Sequence, residues 1–236
     1  MNIVITGASR GIGFELAKIF CADTNNTIVI TARSIEKLNE LKQECIKLNP
    51  SARILPIACD LSNANAISNF TLELNKHLST IDILINNAGA IVNKPFIELS
   101  KEDIEQVYQV NVFSVIALIQ NLLPCMEQKT KSHIVNISSI GGFQGSAKFA
   151  GLSAYSSSKA ALTCITECLA EEFKELNTAF NCLALGATQT EMLEEAFPGY
   201  KAPITAAQMA EFIADFSKNG QKYMNGKIIP VSLSTP

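Results

Sequence analysis

Short β-branched runs alternate with longer amphipathic stretches along the chain. The runs at 3–5, 27–31, 53–57, 81–85, 133–137 and 179–184 are apolar without strict alternation, the pattern of strands buried on both faces, and 226–231 reads as a seventh. Between them, apolar positions at helical spacing predict helices near 11–22, 34–48, 62–78, 100–128, 155–176 and 205–218. Such alternation predicts an α/β fold: a doubly wound, Rossmann-like parallel sheet of seven strands with helices on both faces. No repeat or Pro/Gly/Ser-rich linker divides the chain, so residues 1–236 are read as one domain.

Charge and composition remove several classes of function. With 22 acidic and 19 basic side chains the net charge is -3, which gives no footprint for nucleic acid or an anionic membrane surface. The longest apolar run, 115–119, is far from the roughly 20 residues of a membrane span. Residues 1–6 go straight into a strand pattern instead of a basic and then apolar leader, so a cytoplasmic protein is expected. The seven cysteines are odd in number and lack zinc-type paired spacings, and no metal is expected. Cys164 and Cys168, four apart on one expected helix, are read as ordinary buried packing.

In a doubly wound sheet ligands collect beyond the carboxyl ends of the strands. The first such end carries Thr6-Gly7-Ala8-Ser9-Arg10-Gly11-Ile12-Gly13, where glycines let backbone approach a diphosphate and the next helix N-terminus favours its charge. Leu16 stands where a third glycine of the G-x-G-x-x-G fingerprint would be, so the loop alone is also consistent with a tight turn. Tyr155-Ser156-Ser157-Ser158-Lys159 places a phenol and an ammonium one helical turn apart, and the ammonium is expected to lower the phenol pKa towards neutrality. By itself this spacing also describes a half-buried ring beside a solvated lysine. The fifth strand ends in Ile137-Ser138-Ser139, with Ser139 placed to hold a carbonyl oxygen near Tyr155 and Ser138 expected on backbone. Asn111, flanked by Val110 and Val112, must satisfy its amide within an apolar helix, at a kink or a water.

Taken together, Thr6-Gly7-x-x-x-Gly11-x-Gly13, Asp60-Leu61, Asn86-Asn87-Ala88-Gly89, Asn111, Ile137-Ser138-Ser139, Tyr155-x-x-x-Lys159 and Thr190 resemble the short-chain dehydrogenase/reductase family, in its ordinary-length, single-domain branch. The resemblance runs from about residue 3 to residue 230 and implies a fold that binds a nicotinamide dinucleotide. It implies a catalytic tetrad: Tyr155 as general acid or base, Ser139 positioning the substrate oxygen, Lys159 on the nicotinamide ribose and tuning Tyr155, and Asn111 holding a water that continues the proton relay. The cofactor-binding residues it implies are Gly7, Ser9, Arg10, Gly11, Ile12 and Gly13 in the loop, Arg33 and Ser34 after strand two, and Asp60 and Leu61 after strand three. Asn87, Ala88, Gly89, Tyr155, Lys159, Gly186, Thr188 and Thr190 complete that set.

The chain departs from the family at three places. The segment 140–154 is longer than usual, Leu185-Gly186 replaces Pro-Gly after strand six, and Val231 to Pro236 replaces the frequent Asp-Gly-Gly ending. A lid over the nicotinamide is expected near 186–203, bearing Met192, Leu193, Phe197 and Tyr200 beside Glu191, Glu194 and Glu195. Excess apolar positions on the helices at 100–128 and 155–176 predict a homodimer or homotetramer.

Cofactor choice has its own argument. Folds that select NAD carry an Asp or Glu about 20 residues beyond the glycine loop, where it bonds the ribose 2′-hydroxyl and repels a 2′-phosphate. This chain has Thr31-Ala32-Arg33-Ser34 there, which predicts NADP(H), with Arg33 and Arg10 on the phosphate and Ser34 and Ser9 as auxiliary donors. The expected activity is hydride transfer between that cofactor and a carbonyl/alcohol pair, on a small, partly apolar ketone or a 3-oxoacyl thioester. The alternative is a dinucleotide-binding regulatory or scaffold protein without turnover. A nucleotide-sugar epimerase would need a larger C-terminal substrate domain than the residues after strand six provide.

Overall fold

The computed structural model describes residues 1–126 and 130–233. Glu127 and Gln128, at the end of the helix expected over 100–128, and Ser234 to Pro236 of the C-terminal ending lie outside the described residues. The chain runs β1 (Asn2–Thr6), α1 (Gly11–Cys21), β2 (Thr27–Ala32), α2 (Ile35–Leu48), β3 (Arg53–Ala58), α3 (Ala64–Asn75) and β4 (Ile83–Asn86). After β4 come α4 (Lys101–Tyr108), α5 (Ser114–Leu122), β5 (Ser132–Ser139), α6 (Ser153–Glu172) and β6 (Thr178–Leu185). The chain closes with β7 (Thr188–Gln189), α7 (Glu191–Ala196), β8 (Ile204–Thr205), α8 (Ala206–Asn219) and β9 (Lys227–Val231).

Seven strands form one parallel sheet in the order β3-β2-β1-β4-β5-β6-β9, as the alternating pattern predicts. The order reverses between β1 and β4, which places the switch point beside the glycine loop. Because strand side chains alternate, the apolar runs feed two separate cores. Ile3, Ile5, Ile28, Ile30, Ile85 and Val135 pack on one face with residues of α1, α2 and α8, whereas Val4, Val29, Leu84 and Ile134 pack on the other with α3, α5 and α6. Both faces of the sheet are therefore covered, which explains strands without polar alternation.

Helix starts follow capping chemistry. Ser34, Asn63 and Thr190 side chains accept from the first turns of α2, α3 and α7, while Ser100 and Thr205 open α4 and α8 with reciprocal capping boxes to Asp103 and Gln208. The helix expected as one piece from residue 100 is broken by a π-helical turn, Gln109–Phe113, between α4 and α5. By length and composition Lys101–Cys125 is apolar enough to cross a bilayer. In this fold its Val107, Val115, Leu118, Ile119 and Leu122 are buried within the protein, so it serves as a core helix.

The reading of Cys164 and Cys168 as buried is corrected: both are exposed. The inward stripe of α6 is Ala154, Ser158, Leu162, Thr166 and Ala170, spaced by four, and residues 164 and 168 fall on the opposite side of that helix.

His133 on β5 is fully buried, its Nδ1 3.0 Å from the Ser217 carbonyl and its Nε2 2.9 Å from the Asn181 side-chain amide. The second contact requires an unprotonated Nε2, so the ring is neutral with Nδ1–H donating. Burial, with Lys131 adding to it, pushes the ring down to about 4. An unfolded chain takes up this proton near pH 6.5 while the folded chain resists it, so stability is complete above about 6.5 and falls as pH drops towards 4. A loss of about 3 kcal/mol at most is expected, absent in His133→Gln, and urea unfolding across that pH window measures it.

Candidate active site

The glycine loop between β1 and α1 is shaped by close approach. Gly7 has φ +68°, and a Cβ on Gly13 would lie 2.4 Å from the Gly7 carbonyl oxygen, so neither position tolerates a side chain. Arg10 at the start of α1 gives no side-chain cap, and the first turn has no acidic residue. The leading N–H groups of an 11-residue helix thus meet no protein carboxylate of their own turn, and the site suits an anion such as a dinucleotide diphosphate.

Asn87 clamps this loop to the end of β4. Its side-chain amide donates to the carbonyls of Thr6 at 3.0 Å and Gly7 at 3.2 Å, and the Thr6 hydroxyl accepts from the backbone N–H groups of Asn87 and Ala88, both at 3.0 Å. Gly89 lies beyond the clamp, where a Cβ would be 3.4 Å from Asn111 Oδ1 and 3.6 Å from Lys159 Nζ. The tips of β1 and β4 are in this way joined to the π-helical turn and to α6.

Asn111 sits in that turn, buried, with every polar atom occupied. Oδ1 accepts from Ala90 N–H at 2.8 Å, and Nδ2 donates to the Ala90 carbonyl and to Ser158 Oγ, both at 2.9 Å. The widened turn is the kink expected for a polar residue between valines. From α6, the Lys159 ammonium donates to the Ile137 carbonyl at 2.8 Å and lies 5.9 Å from the centre of the Tyr155 ring. Ser138 donates to the Lys159 carbonyl at 2.8 Å, the backbone role expected for it. Ser139 Oγ accepts from Gly141 N–H at 3.2 Å, and its own O–H is left for the Tyr155 phenol.

Burial pushes Lys159 down to about 8. Burial also raises the Tyr155 phenol, and the Ser139 hydroxyl pulls it partly back. This corrects the expectation of a phenol lowered towards neutrality by Lys159: the ammonium is turned to the Ile137 carbonyl, so desolvation outweighs its field. The phenol is held protonated, the state in which it can give up a proton.

The remaining candidates lie along the same edge of the sheet. Arg33 is exposed beyond β2. Ser34 caps α2 and donates to Glu36 at 2.8 Å, so its hydroxyl is engaged locally. Asp60 is lowered chiefly by two bonds from Ser62, with Arg33 contributing, and Leu61 is buried. Gly186 faces the C-terminal segment, where a Cβ would be 2.4 Å from Ser232 Oγ. Thr188 is buried on β7, and Thr190 caps α7. Ser9, Arg10 and Gly11 line one side of a cleft of about 530 Å³, with Thr190, Glu191 and Glu194 opposite. Arg10 is bound by Glu195, with Nη2 3.2 Å from Oε2.

Three contributors were missed in the sequence. Ser158, between Tyr155 and Lys159, holds Asn111; a hydroxyl on the inward stripe of α6 was its signal. Gly142 abuts α6, since a Cβ there would be 2.7 Å from Ala160 N. Asn93 donates to the Ala196 carbonyl at 2.8 Å, a contact across 103 residues that no local pattern announces.

Similarity to known proteins runs along nearly the whole chain. Residues 1–201 match the model of the family described as short chain dehydrogenase. The chain is 30% identical to a 3-oxoacyl-(acyl-carrier-protein) reductase of Aquifex aeolicus, over 97% of this chain and 94% of that protein. It is 34% identical to a fatty acyl-CoA reductase of Acinetobacter baylyi over 80% of this chain, and spans 63% of that longer protein. Among solved structures, a short chain dehydrogenase of Burkholderia cenocepacia in complex with NADP superposes with a TM-score of 0.86 at 26% identity, over 98% of this chain and 95% of that one. With its glycine cradle at the switch point of a seven-stranded parallel sheet, and with Ser139, Tyr155 and Lys159 gathered beside it, the chain belongs to the short-chain dehydrogenase/reductase family of oxidoreductases.

Proposed function

We propose that the chain is an NADP(H)-dependent carbonyl reductase acting on a partly apolar ketone or 3-oxoacyl thioester. The observation that carries this reading is the convergence of Asn111, Ser139, Tyr155 and Lys159 beside a glycine cradle suited to a diphosphate. A nicotinamide cofactor bound along that cradle supplies the hydride. Ser139 turns its O–H from the Tyr155 phenol to the substrate carbonyl oxygen and presents that oxygen to Tyr155. The Tyr155 phenol gives its proton to that oxygen as the carbonyl carbon is reduced, and the Lys159 ammonium offsets the phenolate left behind. Asn111 and Ser158 keep Lys159 and the turn at Ala90 in register for the return of the proton.

Arg33, exposed beyond β2 where NAD-selective folds carry an Asp or Glu, is the group that selects a 2′-phosphate. The NADP-bound Burkholderia relative and the two named reductases favour this cofactor and direction. Residues 1–236 act as one catalytic domain in this reading, with 186–203 as the lid, and α7 already lies over the loop.

A panel of ketones, aldehydes and 3-oxoacyl thioesters, followed by loss of NADPH absorbance, tests the activity. Turnover on none of them by a protein that binds NADPH would favour the scaffold reading. Reduction needs both Tyr155 and Lys159 protonated, so its rate is expected to fall as pH rises through about 8.

Assembly follows from the outer face of α4 to α6. Phe113 is 53% and Ile104 39% exposed there. A homodimer or homotetramer covering this face is expected, and light scattering that gives a particle of 25.5 kDa at micromolar concentration would refute it.

A further inference from the structure

The Arg10–Glu195 pair is not used by the reaction, yet its placement is unusual in this molecule. Every other ion pair among the described residues joins side chains at most nine positions apart in the chain. Arg10 and Glu195 are 185 residues apart and connect the glycine loop to α7. Both side chains are exposed, 38% and 60%, so the pair contributes little to stability. Its consequence lies in what it does to the cleft that it spans.

Within that cleft α7 sits directly on the cradle: a Cβ on Gly11 would lie 3.3 Å from Thr190 Cγ2 and 3.5 Å from Glu191 Oε2. The next residue after Glu195 is tied on the other side, where the Ala196 carbonyl accepts from Asn93 of the β4–α4 connection. Consecutive residues of α7 thus fasten it to the cofactor side and to the substrate side of the sheet edge. Arg10 uses both Nη atoms on the Glu195 carboxylate, the same fork that would bind a phosphate. With that fork on Glu195, its two parallel donors are not open to a phosphate.

We propose that Glu195 is a specificity-determining residue: it competes with the cofactor 2′-phosphate for Arg10, and so sets how much more tightly the protein holds NADPH than NADH. The proposal rests on the NADP(H) reading above. NADH shares the diphosphate but lacks the 2′-phosphate, so the pair sets the ratio of the two affinities. The 2′-phosphate must displace Glu195, loosening one of the two ties on α7 while the Asn93 tie remains.

Calorimetric titration of the purified full chain with NADPH, NADH and 2′,5′-ADP tests this in two stages. If the unmodified protein holds NADH as tightly as NADPH and does not bind 2′,5′-ADP, the cofactor reading fails and the proposal fails with it. With an NADPH preference in hand, Glu195→Gln is expected to tighten NADPH and 2′,5′-ADP about two- to fivefold, the worth of one exposed ion pair, and to leave NADH unchanged. The gain should vanish in an Arg10→Ala background. It should also be absent in Glu194→Gln, which removes the same charge from the same helix while its partner is Gly199 N–H. No tightening, an equal gain for NADH, or the same gain from Glu194→Gln or without Arg10 would overturn the role of Glu195.

Discussion

Tyr155→Phe is expected to reduce carbonyl turnover by about 10²–10⁴-fold with NADPH affinity nearly intact. The substitution removes one oxygen from a ring whose remaining contacts are packing, so the glycine cradle and Lys159 stay in place. In the structure this hydroxyl is kept protonated by its surroundings and is hydrogen-bonded to Ser139. No other described acid is placed on the same hydroxyl pair, and water would have to replace it. Steady-state kinetics on an accepted ketone, with NADPH binding measured separately, check both halves of the expectation. Wild-type-like turnover by the variant would remove Tyr155 from the reaction.

Arg33→Asp is expected to weaken NADPH binding by about 3 kcal/mol, more than a hundredfold, and to move the preference towards NADH. The change removes a charge-assisted donor and installs the carboxylate that NAD-selective sheets carry at this position. Arg33 is exposed and packs against nothing that its loss would collapse, so the change should leave folding intact. Nearby Asp60 already adds negative charge after β3, and a second carboxylate beside it strengthens the repulsion. Paired titrations with NADPH and NADH measure the effect. An Arg33→Asp protein that still prefers NADPH would show that another group reads the phosphate, with Arg10 the first to examine.

The sheet was legible in the sequence because each strand is buried on both faces, so Ile3-Val4-Ile5 and its counterparts stand out as apolar runs between longer helical periods. That Tyr155, Lys159 and Ser139 come together was legible because one helix carries the first two and the strand beside it ends in the third. What escaped the sequence is contact between segments distant in the chain. The tie from Asn93 to Ala196 and the grip of Glu195 on Arg10 depend on where α7 comes to rest, and α7 is a six-residue helix inside what read as loop. Cys164 and Cys168 were misplaced for a related reason: an i, i+4 pair fixes that two residues share a face but not which face is inward. That was decided by Leu162 and Thr166. The pKa of Tyr155 was misjudged because spacing gives proximity to Lys159 without the Ile137 carbonyl to which the ammonium turns.

The widened turn at Gln109–Phe113 behaves as a helix with one residue too many. Rewinding that turn as regular α-helix with every residue kept would rotate everything beyond it by about 100°. Val115, Ile119 and Leu122 would then swing away from the sheet and the exposed Asn121 would swing in. The irregularity cannot heal without inverting an apolar stripe. Asn111 is thus anchored by helical phase: hydrophobic side chains up to three turns away fix the angle at which it faces Ala90 and Ser158.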